Sequence, residues 1–271
     1  MKKRGSKTRF LSSVGHASCG PPMGRVKGLV LCGGPGTRLR PITYYFQKTM
    51  VPIGMKQKPL LEYVVRLFKF HGIQDLAFLV SYKAEQIVNY FDDGSRFDAK
   101  ISYVYDDPEL KGTAGSVLNA YTQGTVGVED TLLVYYGDIL TNMNLQDLLR
   151  YHEKRESSAT VALSSSFTVR VGLADMDDDN KIRGFVEKPS LEKPVSVGIL
   201  VFRGETLKDM EQLKKGRREL DLMRDVIPHL IKMGKPVYGY LSDAFWYDVG
   251  STEAYEKLTP QLVEDLLSYL F

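Results

Sequence analysis

Short apolar segments alternate with amphipathic segments between residues 26 and 157, and this alternation limits the folds that the chain can adopt. Apolar runs bounded by glycine or turn residues predict buried strands, whereas apolar residues at helical spacing predict helices. The predicted strands are 28–32, 75–81, 100–105 and 131–136, and the predicted helices are 59–71, 84–91, 113–121 and 145–154. Strands that alternate with helices predict an α/β fold with a doubly wound, mostly parallel sheet and helices on both faces.

The pattern changes after about residue 158, where predicted strands follow one another with fewer helices between them. The predicted strands are 160–164, 182–187, 195–202, 237–241 and 245–249, with helices over 221–233 and from 251 onwards. Strands in this order predict a mixed or antiparallel extension of the sheet. We therefore expect a single domain over 23–271, with one half at about 26–157 and the other at about 158–271.

Composition excludes several classes of protein. No apolar stretch approaches the roughly 20 residues of a membrane helix, so we expect no membrane partner. Cys19 and Cys32 are too few for a disulfide framework, and the four histidines lack metal-ligand spacing. With 43% hydrophobic and 25% charged residues, the chain resembles an ordinary globular protein, and we expect it in the cytoplasm with reduced thiols.

The first 22 residues differ from the rest, because they contain five lysines and arginines and no acidic residue. Removing these five positive charges changes the formal net charge from +3 to −2, so charge predicts no nucleic-acid partner. Glycines, serines and a Pro-Pro pair in this stretch predict disorder. It is interpreted as a leader translated from a start codon upstream of Met23, and a transit peptide is the alternative.

A glycine-rich loop directly follows the first predicted strand and contains Gly33, Gly34 and Gly36. Such loops let backbone N–H groups approach phosphates, and Arg38 and Arg40 could add charge-assisted hydrogen bonds. The loop is not a P-loop, because no lysine follows its last glycine, and it lacks the third glycine of the dinucleotide-binding motif. The missing glycine argues against a nucleotide-dependent oxidoreductase. A glycine turn with solvated arginines is the alternative that involves no ligand.

Five motifs occur together in an order that resembles the sugar-1-phosphate nucleotidyltransferases, over about residues 26 to 257. They are GGPGTRLRPIT at 33–43, followed by Lys48 and by KPLLEY at 58–63; DPELKGTAG at 107–115; YGD at 136–138; GFVEKP at 184–189; and FWYDVGS at 245–251. The resemblance implies a Rossmann-like nucleotidyltransferase fold. It also implies a reaction of a nucleoside triphosphate with a sugar 1-phosphate that gives an NDP-sugar and pyrophosphate.

The same resemblance assigns residues to roles. It implies that Asp138 and Asp248 bind Mg²⁺, and that Arg38 and Lys48 are the catalytic cations. The implied nucleotide-binding residues are Gly33, Gly34, Gly36, Thr37, Gly112, Thr113 and Ala114, and the implied sugar-phosphate-binding residues are Gly172, Glu187, Lys188 and Gly198. Gln47 replaces the proline that usually precedes the lysine. Ser196 and Val197 replace the usual Asn-Ala or Asn-Thr before Gly198, which leaves the identity of the sugar open.

Several questions stay open at the level of sequence. Asp106 and Asp107 stand where thymidylyl enzymes of the family often use a glutamine, and a carboxylate would suit the N–H donors of guanine. The main candidates are mannose 1-phosphate with GTP and glucose 1-phosphate with dTTP or UTP. A catalytically inactive regulatory homologue that binds nucleotide sugar is the alternative function. An apolar stripe after residue 253 packs either on its own core or, in a homo-oligomer, on a second subunit.

Overall fold

The computed structural model describes residues 25–165, 167–168, 171–191 and 193–271. The leader expected over 1–22 lies outside these residues. Fifteen strands are found in the described ranges: β1 (Val26–Leu31), β2 (Pro52–Ile53), β3 (Lys58–Pro59), β4 (Asp75–Val80), β5 (Lys100–Tyr105), β6 (Thr131–Tyr136), β7 (Ile139–Thr141), β8 (Ala159–Ser164), β9 (Phe167–Thr168), β10 (Leu173–Met176), β11 (Ile182–Val186), β12 (Ser190–Leu191), β13 (Val195–Arg203), β14 (Val237–Ser242) and β15 (Trp246–Asp248).

Eight α-helices lie in the same described ranges: α1 (Leu60–Phe70), α2 (Ala84–Phe91), α3 (Thr113–Thr122), α4 (Leu145–Lys154), α5 (Thr206–Lys214), α6 (Ile227–Lys232), α7 (Thr252–Lys257) and α8 (Pro260–Leu267). In the part of the chain that the structure describes, no helix combines the length and apolarity needed to cross a membrane. Short 3-10 turns at Thr37–Leu39 and Lys48–Met50 follow β1 and carry the two predicted catalytic cations.

A seven-stranded sheet in the order β14-β8-β13-β6-β1-β4-β5 forms the centre of the molecule. Every neighbouring pair is parallel except the two that involve β13, which runs antiparallel to both β6 and β8. The predicted mostly parallel α/β sheet is therefore confirmed. Of the eight described strands after residue 158, β8, β13 and β14 join this sheet and extend it in mixed directions. The pairs β10–β11 and β9–β12 form separate small antiparallel sheets.

Helices cover both faces of the sheet, because successive residues of each strand point to opposite sides. In β1, fully buried Val30 belongs to one apolar cluster and fully buried Leu29 to the other. The first cluster contains residues of α1, α2, α4 and α8, and the second contains residues of α3, α5 and α6. This arrangement is the doubly wound architecture, in which ligands bind at the carboxyl ends of the strands.

Two features of the second half differ from the sequence prediction. Helix α5 was not predicted, because it buries only Thr206, Leu207 and Met210, and so its apolar pattern is weak. The helix predicted over 221–233 is divided into a π-helical turn at Leu222–Val226 and α6. Pro228, in the first turn of α6, lacks the N–H that would continue the hydrogen bonds of a single helix.

Candidate active site

A cleft of about 130 Å³ opens at the carboxyl ends of the neighbouring strands β1 and β6. Because these strands are parallel and adjacent, the segments that follow them meet at one edge of the sheet. The cleft is lined by Leu31, Cys32, Gly34, Gln47, Lys48, Thr49, Thr113, Tyr136 and Asp138. Burial raises the pKa of the Tyr136 phenol to about 12 and also raises the pKa of the Cys32 thiol, so both groups are neutral near pH 7.

The glycine loop follows β1 and packs against the Lys48 turn. Gly36 has φ +61°, and a Cβ atom there would lie 3.0 Å from Lys48 Cβ and 2.9 Å from Thr43 Cγ2. A side chain at Gly33 would meet the Asp106 carboxylate at 2.5 Å, whereas a side chain at Gly34 would meet nothing within 4 Å. The fold therefore accounts for glycine at 33 and 36 and leaves the backbone of Gly34 open toward the cleft.

Lys48 and Asp138 form an ion pair across this cleft. The Lys48 ammonium contacts Asp138 Oδ2, and the two side chains are 13% and 21% exposed. Lys48 lies in the 3-10 turn after the glycine loop, and Asp138 follows β6 after Gly137. The structure thus brings together a predicted catalytic cation and a predicted metal ligand.

Asp138 and Asp248 are neighbours although they lie far apart in the sequence. Strand β7, which begins next to Asp138, pairs with β15 so that Asp248 is opposite Ile139. The Val249 N–H also donates to the Asp138 carbonyl oxygen at 3.0 Å. The two predicted metal ligands therefore lie on paired backbone segments. Across the described ranges, no cluster of three or more His, Cys, Asp or Glu side chains could hold a metal ion.

Arg38 lies beside Asp248, with Gly250 between them. A Cβ atom at Gly250 would be 3.0 Å from Arg38 Nη2 and 2.5 Å from Asp248 Oδ1. Thr252, at the start of α7, donates its hydroxyl to the Arg40 carbonyl oxygen at 3.1 Å. The segment that contains Asp248 is thus attached to the loop that contains Arg38, and the Arg38 side chain remains exposed.

The start of α3 is held by other parts of the chain. Gly112 has φ +91°, and a Cβ atom there would lie 2.5 Å from the Leu220 carbonyl oxygen. The Thr113 hydroxyl donates to Asp221 Oδ2 at 2.9 Å and accepts from the Leu222 N–H at 2.8 Å. The Ala114 N–H donates to the Leu220 carbonyl oxygen. The segment therefore has a packing role in the fold, and its contact with a nucleotide stays a prediction.

Asp106 lies at the end of β5, next to the glycine loop. Its Oδ1 accepts a hydrogen bond from the Ser116 hydroxyl at 2.6 Å, and its Oδ2 lies against Gly33. Burial raises the pKa of this carboxyl group, and the Ser116 hydroxyl opposes the rise. No lysine or arginine forms an ion pair with Asp106 in the described part of the chain.

The predicted sugar-phosphate residues form two groups. Gly198, with φ +76°, lies in β13, where a Cβ atom would be 3.2 Å from Tyr136 and 3.1 Å from Ile139. Glu187 and Lys188 are 63% and 64% exposed, with 3.8 Å between Oε1 and Nζ. A Cβ atom at Gly172 would lie 2.8 Å from Glu187 Oε2. By these distances, Gly198 is the one of the four residues that lies next to a residue lining the cleft, Tyr136.

Gln47 lines the cleft, but the sequence analysis gave its side chain no role. It is fully buried, and its side chain is hydrogen-bonded to Cys32 at the end of β1 and to Thr49 in the Lys48 turn. The available signal was its departure from the family motif, at a position where proline is usual. A departure marks a difference, but it does not reveal which atoms the new side chain contacts.

Comparison with solved structures defines the class of fold. The structure superimposes with a TM-score of 0.71 on the crystal structure of a Bacillus anthracis protein in complex with sucrose. The two sequences are 22% identical, and the match covers 89% of this chain and 96% of the other. The fold is the Rossmann-like fold of nucleotidyltransferases.

The family follows from the sequence. The model of the nucleotidyl transferase family matches residues 27–265, and the chain therefore belongs to the sugar-1-phosphate nucleotidyltransferases. It is 33% identical to the UTP–glucose-1-phosphate uridylyltransferase of Synechocystis, over 85% of this chain and 61% of the relative. It is 30% identical to the mannose-1-phosphate guanylyltransferase of Mycobacterium tuberculosis, over 89% of this chain and 66% of the relative. The chain thus spans about three fifths to two thirds of the length of these relatives.

Proposed function

We propose that this chain transfers a nucleotidyl group from a nucleoside triphosphate to a hexose 1-phosphate. The phosphate oxygen of the sugar attacks the α-phosphorus, the bond to the bridging oxygen of the β-phosphate breaks, and pyrophosphate leaves. The observation that carries the proposal is the meeting of Lys48, Asp138 and the Asp248 segment at one edge of the sheet. Two polyanionic substrates require positive charge fixed in advance. Lys48 supplies one such charge, and the two carboxylates would bind a cation that supplies more.

The two cations have different parts in the proposal. Arg38 binds the β- and γ-phosphates, because a guanidinium donates to two phosphate oxygens at once and stays charged. Lys48 binds the α-phosphate or the attacking phosphate. Lys48 and Asp138 line the same cleft, so the Lys48 ammonium could turn from Asp138 to the oxygen of a phosphate bound there. The gain comes from positioning and from charge neutralisation, and no covalent enzyme intermediate is needed.

Mg²⁺ is the cofactor of this proposal, and Asp138 and Asp248 would hold it. Two carboxylates on paired segments fit this ion, which binds through one or two carboxylates and completes its shell with water and phosphate oxygens. When bound, Mg²⁺ neutralises charge on the phosphates. The chain's own contribution is the β7–β15 pairing, which holds the backbone segments of Asp138 and Asp248 side by side before any substrate arrives.

Guanine is the base that the geometry favours. Asp106 presents a half-buried carboxylate beside Gly33, and no cation of the described chain pairs with it. A carboxylate only accepts hydrogen bonds, and guanine offers adjacent N1–H and N2–H₂ donors. The proposed substrate pair is therefore GTP with a hexose 1-phosphate such as mannose 1-phosphate, and glucose 1-phosphate with dTTP or UTP is the alternative. Glu187 and Lys188 would bind the sugar hydroxyls and the sugar phosphate.

The decisive experiment measures pyrophosphate release with Mg²⁺ for five nucleoside triphosphates against mannose, glucose, galactose and N-acetylglucosamine 1-phosphates. We expect activity with GTP and one or two sugars, lowered at least about 100-fold in Asp138→Ala and in Asp248→Ala. The matched control is Asp147→Ala, which removes an exposed carboxylate on α4 and should retain full activity. Folded wild-type protein that binds nucleotide sugar but shows no turnover would instead identify the inactive regulatory homologue.

A further inference from the structure

Gln47 precedes Lys48 and has none of its surface exposed. A buried amide is costly unless its donors and acceptor are hydrogen-bonded, so the partners of Gln47 show what it joins. Its Nε2 donates to the Cys32 carbonyl oxygen at 2.5 Å. Its Oε1 accepts from both the backbone N–H and the hydroxyl of Thr49, each at 2.6 Å.

These partners connect a rigid element to the turn that carries Lys48. Cys32 extends β1 by one residue, because its N–H donates to the Leu79 carbonyl oxygen of β4 at 2.8 Å. Thr49 is the residue after Lys48, and the Met50 N–H closes the turn on the Gln47 carbonyl oxygen at 2.8 Å. The amide of Gln47 thus attaches the Lys48 turn directly to the carboxyl end of β1, where the cleft begins.

The attachment matters because a lysine side chain is long and flexible. Its four-carbon stem gives the ammonium many positions unless the backbone below it is fixed. Lys48 Cβ packs close to Gly36, and its ammonium reaches Asp138 after β6, the strand next to β1. Fixing the backbone of residues 47–49 to β1 therefore fixes the distance from Lys48 to the carboxylate on the neighbouring strand.

We propose that Gln47 is a positioning residue. It holds the Lys48 ammonium where it can reach Asp138 and the phosphates that Lys48 is proposed to bind. The proposal rests on the proposed function, because it gives Gln47 its effect through Lys48. It differs from a purely structural role in one respect. Gln47 then affects turnover only when the lysine is present, whereas a loss of stability would be the same with or without the lysine.

A double-mutant cycle tests this directly. The kcat for pyrophosphate release is measured in wild type, Gln47→Ala, Lys48→Ala and the double variant, with thermal unfolding of each. We expect Gln47→Ala to lower kcat about 10-fold or more, with KM for the triphosphate within about 3-fold, because misplacement of a catalytic group acts on the transition state. In the Lys48→Ala background the same change should alter kcat less than about 2-fold.

Two further variants supply a substitute for Gln47→Ala and a control. If Gln47→Ala does not fold, Thr49→Val serves in its place. It removes one of the hydrogen bonds to Gln47 Oε1 with little change of shape, and we expect it to lower kcat about 3-fold. Gln86→Ala is the matched control. Gln86 accepts from the Gln47 N–H at 2.6 Å and donates to the Tyr45 carbonyl oxygen at 2.7 Å, so it supports the same turn from the solvent side. It should lower stability but keep kcat.

The outcomes separate this inference from the proposed function. Equal loss of kcat from Gln47→Ala in both lysine backgrounds would overturn the positioning role and leave the transferase proposal standing. A fall in kcat of the same size in Gln86→Ala would also overturn it, because the effect would then belong to the whole turn. Absence of any turnover in the wild type would overturn both proposals together.

Discussion

Gly34 and Gly36 are two residues apart in one loop, but only Gly36 has a reason within the fold to be glycine. Gly36 adopts φ +61° and lies against Lys48 and Thr43, whereas a side chain at Gly34 would extend into open space. A residue with room for a side chain and no left-handed backbone does not need to be glycine for stability. Close approach of a ligand to the backbone would explain Gly34.

This contrast gives a prediction for two alanine variants. Gly36→Ala should lower the free energy of unfolding by about 1–2 kcal/mol, because of the left-handed backbone and the displaced Lys48. Gly34→Ala should leave stability within about 0.5 kcal/mol and raise the KM for the triphosphate. Urea unfolding and steady-state kinetics on both variants measure this. Unchanged nucleotide affinity in Gly34→Ala would remove the loop from the phosphate site.

Asp106 is a second residue whose role can be tested by a single change. If the base is guanine, as proposed, Asp106→Asn replaces one acceptor oxygen by a donor that would oppose the guanine N–H groups. A well-formed bidentate contact of this kind discriminates by about 1–3 kcal/mol, so kcat/KM for GTP should fall about 10–100-fold while the value for UTP or dTTP falls less. Asp107→Asn is the control, since Asp107 Oδ1 accepts from the Glu109 N–H at 2.9 Å within its own turn. An equal fall for all triphosphates would contradict base recognition.

At the scale of elements, local sequence determined most of the helices and strands. The helix at 145–154 and its cap at Asn144 were predicted with the bounds that the structure shows, because apolar spacing and an N-cap residue are both local signals. The bounds of α2, β5 and β6 were predicted equally well. Helix α5 was missed because little of it is buried, and the small strands β9, β10 and β12 were missed because their pairing is not visible in a short window.

Two helix caps should differ in their contribution to stability, because one of them also contacts a second element. Asn144 caps α4 by accepting from the N–H groups of Gln146 and Asp147, and it is exposed. Asp221 caps the π-helical turn in a similar way and also accepts from the Thr113 hydroxyl at the start of α3. Loss of Asp221 therefore releases two elements at once.

We expect Asn144→Ala to lower the free energy of unfolding by about 1 kcal/mol, as for an ordinary N-cap. Asp221→Ala should cost about 2–3 kcal/mol, because it also leaves the Thr113 hydroxyl without its acceptor. Denaturant unfolding of both variants gives the comparison. If residues 112–114 contact the nucleoside, only Asp221→Ala should also raise the KM for the triphosphate. Equal losses of stability in the two variants would show that the Thr113 contact contributes nothing.

At the scale of the whole molecule, the order of the strands assembles the site. The pairing of β7 with β15 joins Asp138 to Asp248, and the adjacency of β1 and β6 joins Lys48 to Asp138. Periodicity predicts each strand, but it does not predict which distant strand becomes its neighbour. The two carboxylates were therefore predicted together only through the resemblance to a family, and the contacts of Gln47 were not predicted at all.

The stability of the whole molecule should depend on one buried histidine of α4. His152 is 1% exposed, its Nδ1 lies 2.8 Å from Thr160 Oγ1, and no described residue bonds to its Nε2. Burial, and to a lesser extent the positive charge of Arg203, lower the pKa of His152 from 6.5 to about 4. Between these two values the unfolded chain binds a proton that the folded chain does not, so stability falls as the pH falls from about 6.5 toward 4.

The predicted loss over this window is about 3 kcal/mol from His152 alone, and the histidine contributes no pH dependence above about pH 7. Urea unfolding at a series of pH values between 4.5 and 8 measures it against His152→Gln, in which this part of the slope should disappear. Thr160→Val is the matched control: it should lower stability at every pH but keep the slope, because the imidazole stays buried beside Arg203. An unchanged slope in His152→Gln would instead assign the acid sensitivity to other groups, such as His71, whose pKa is also lowered by burial.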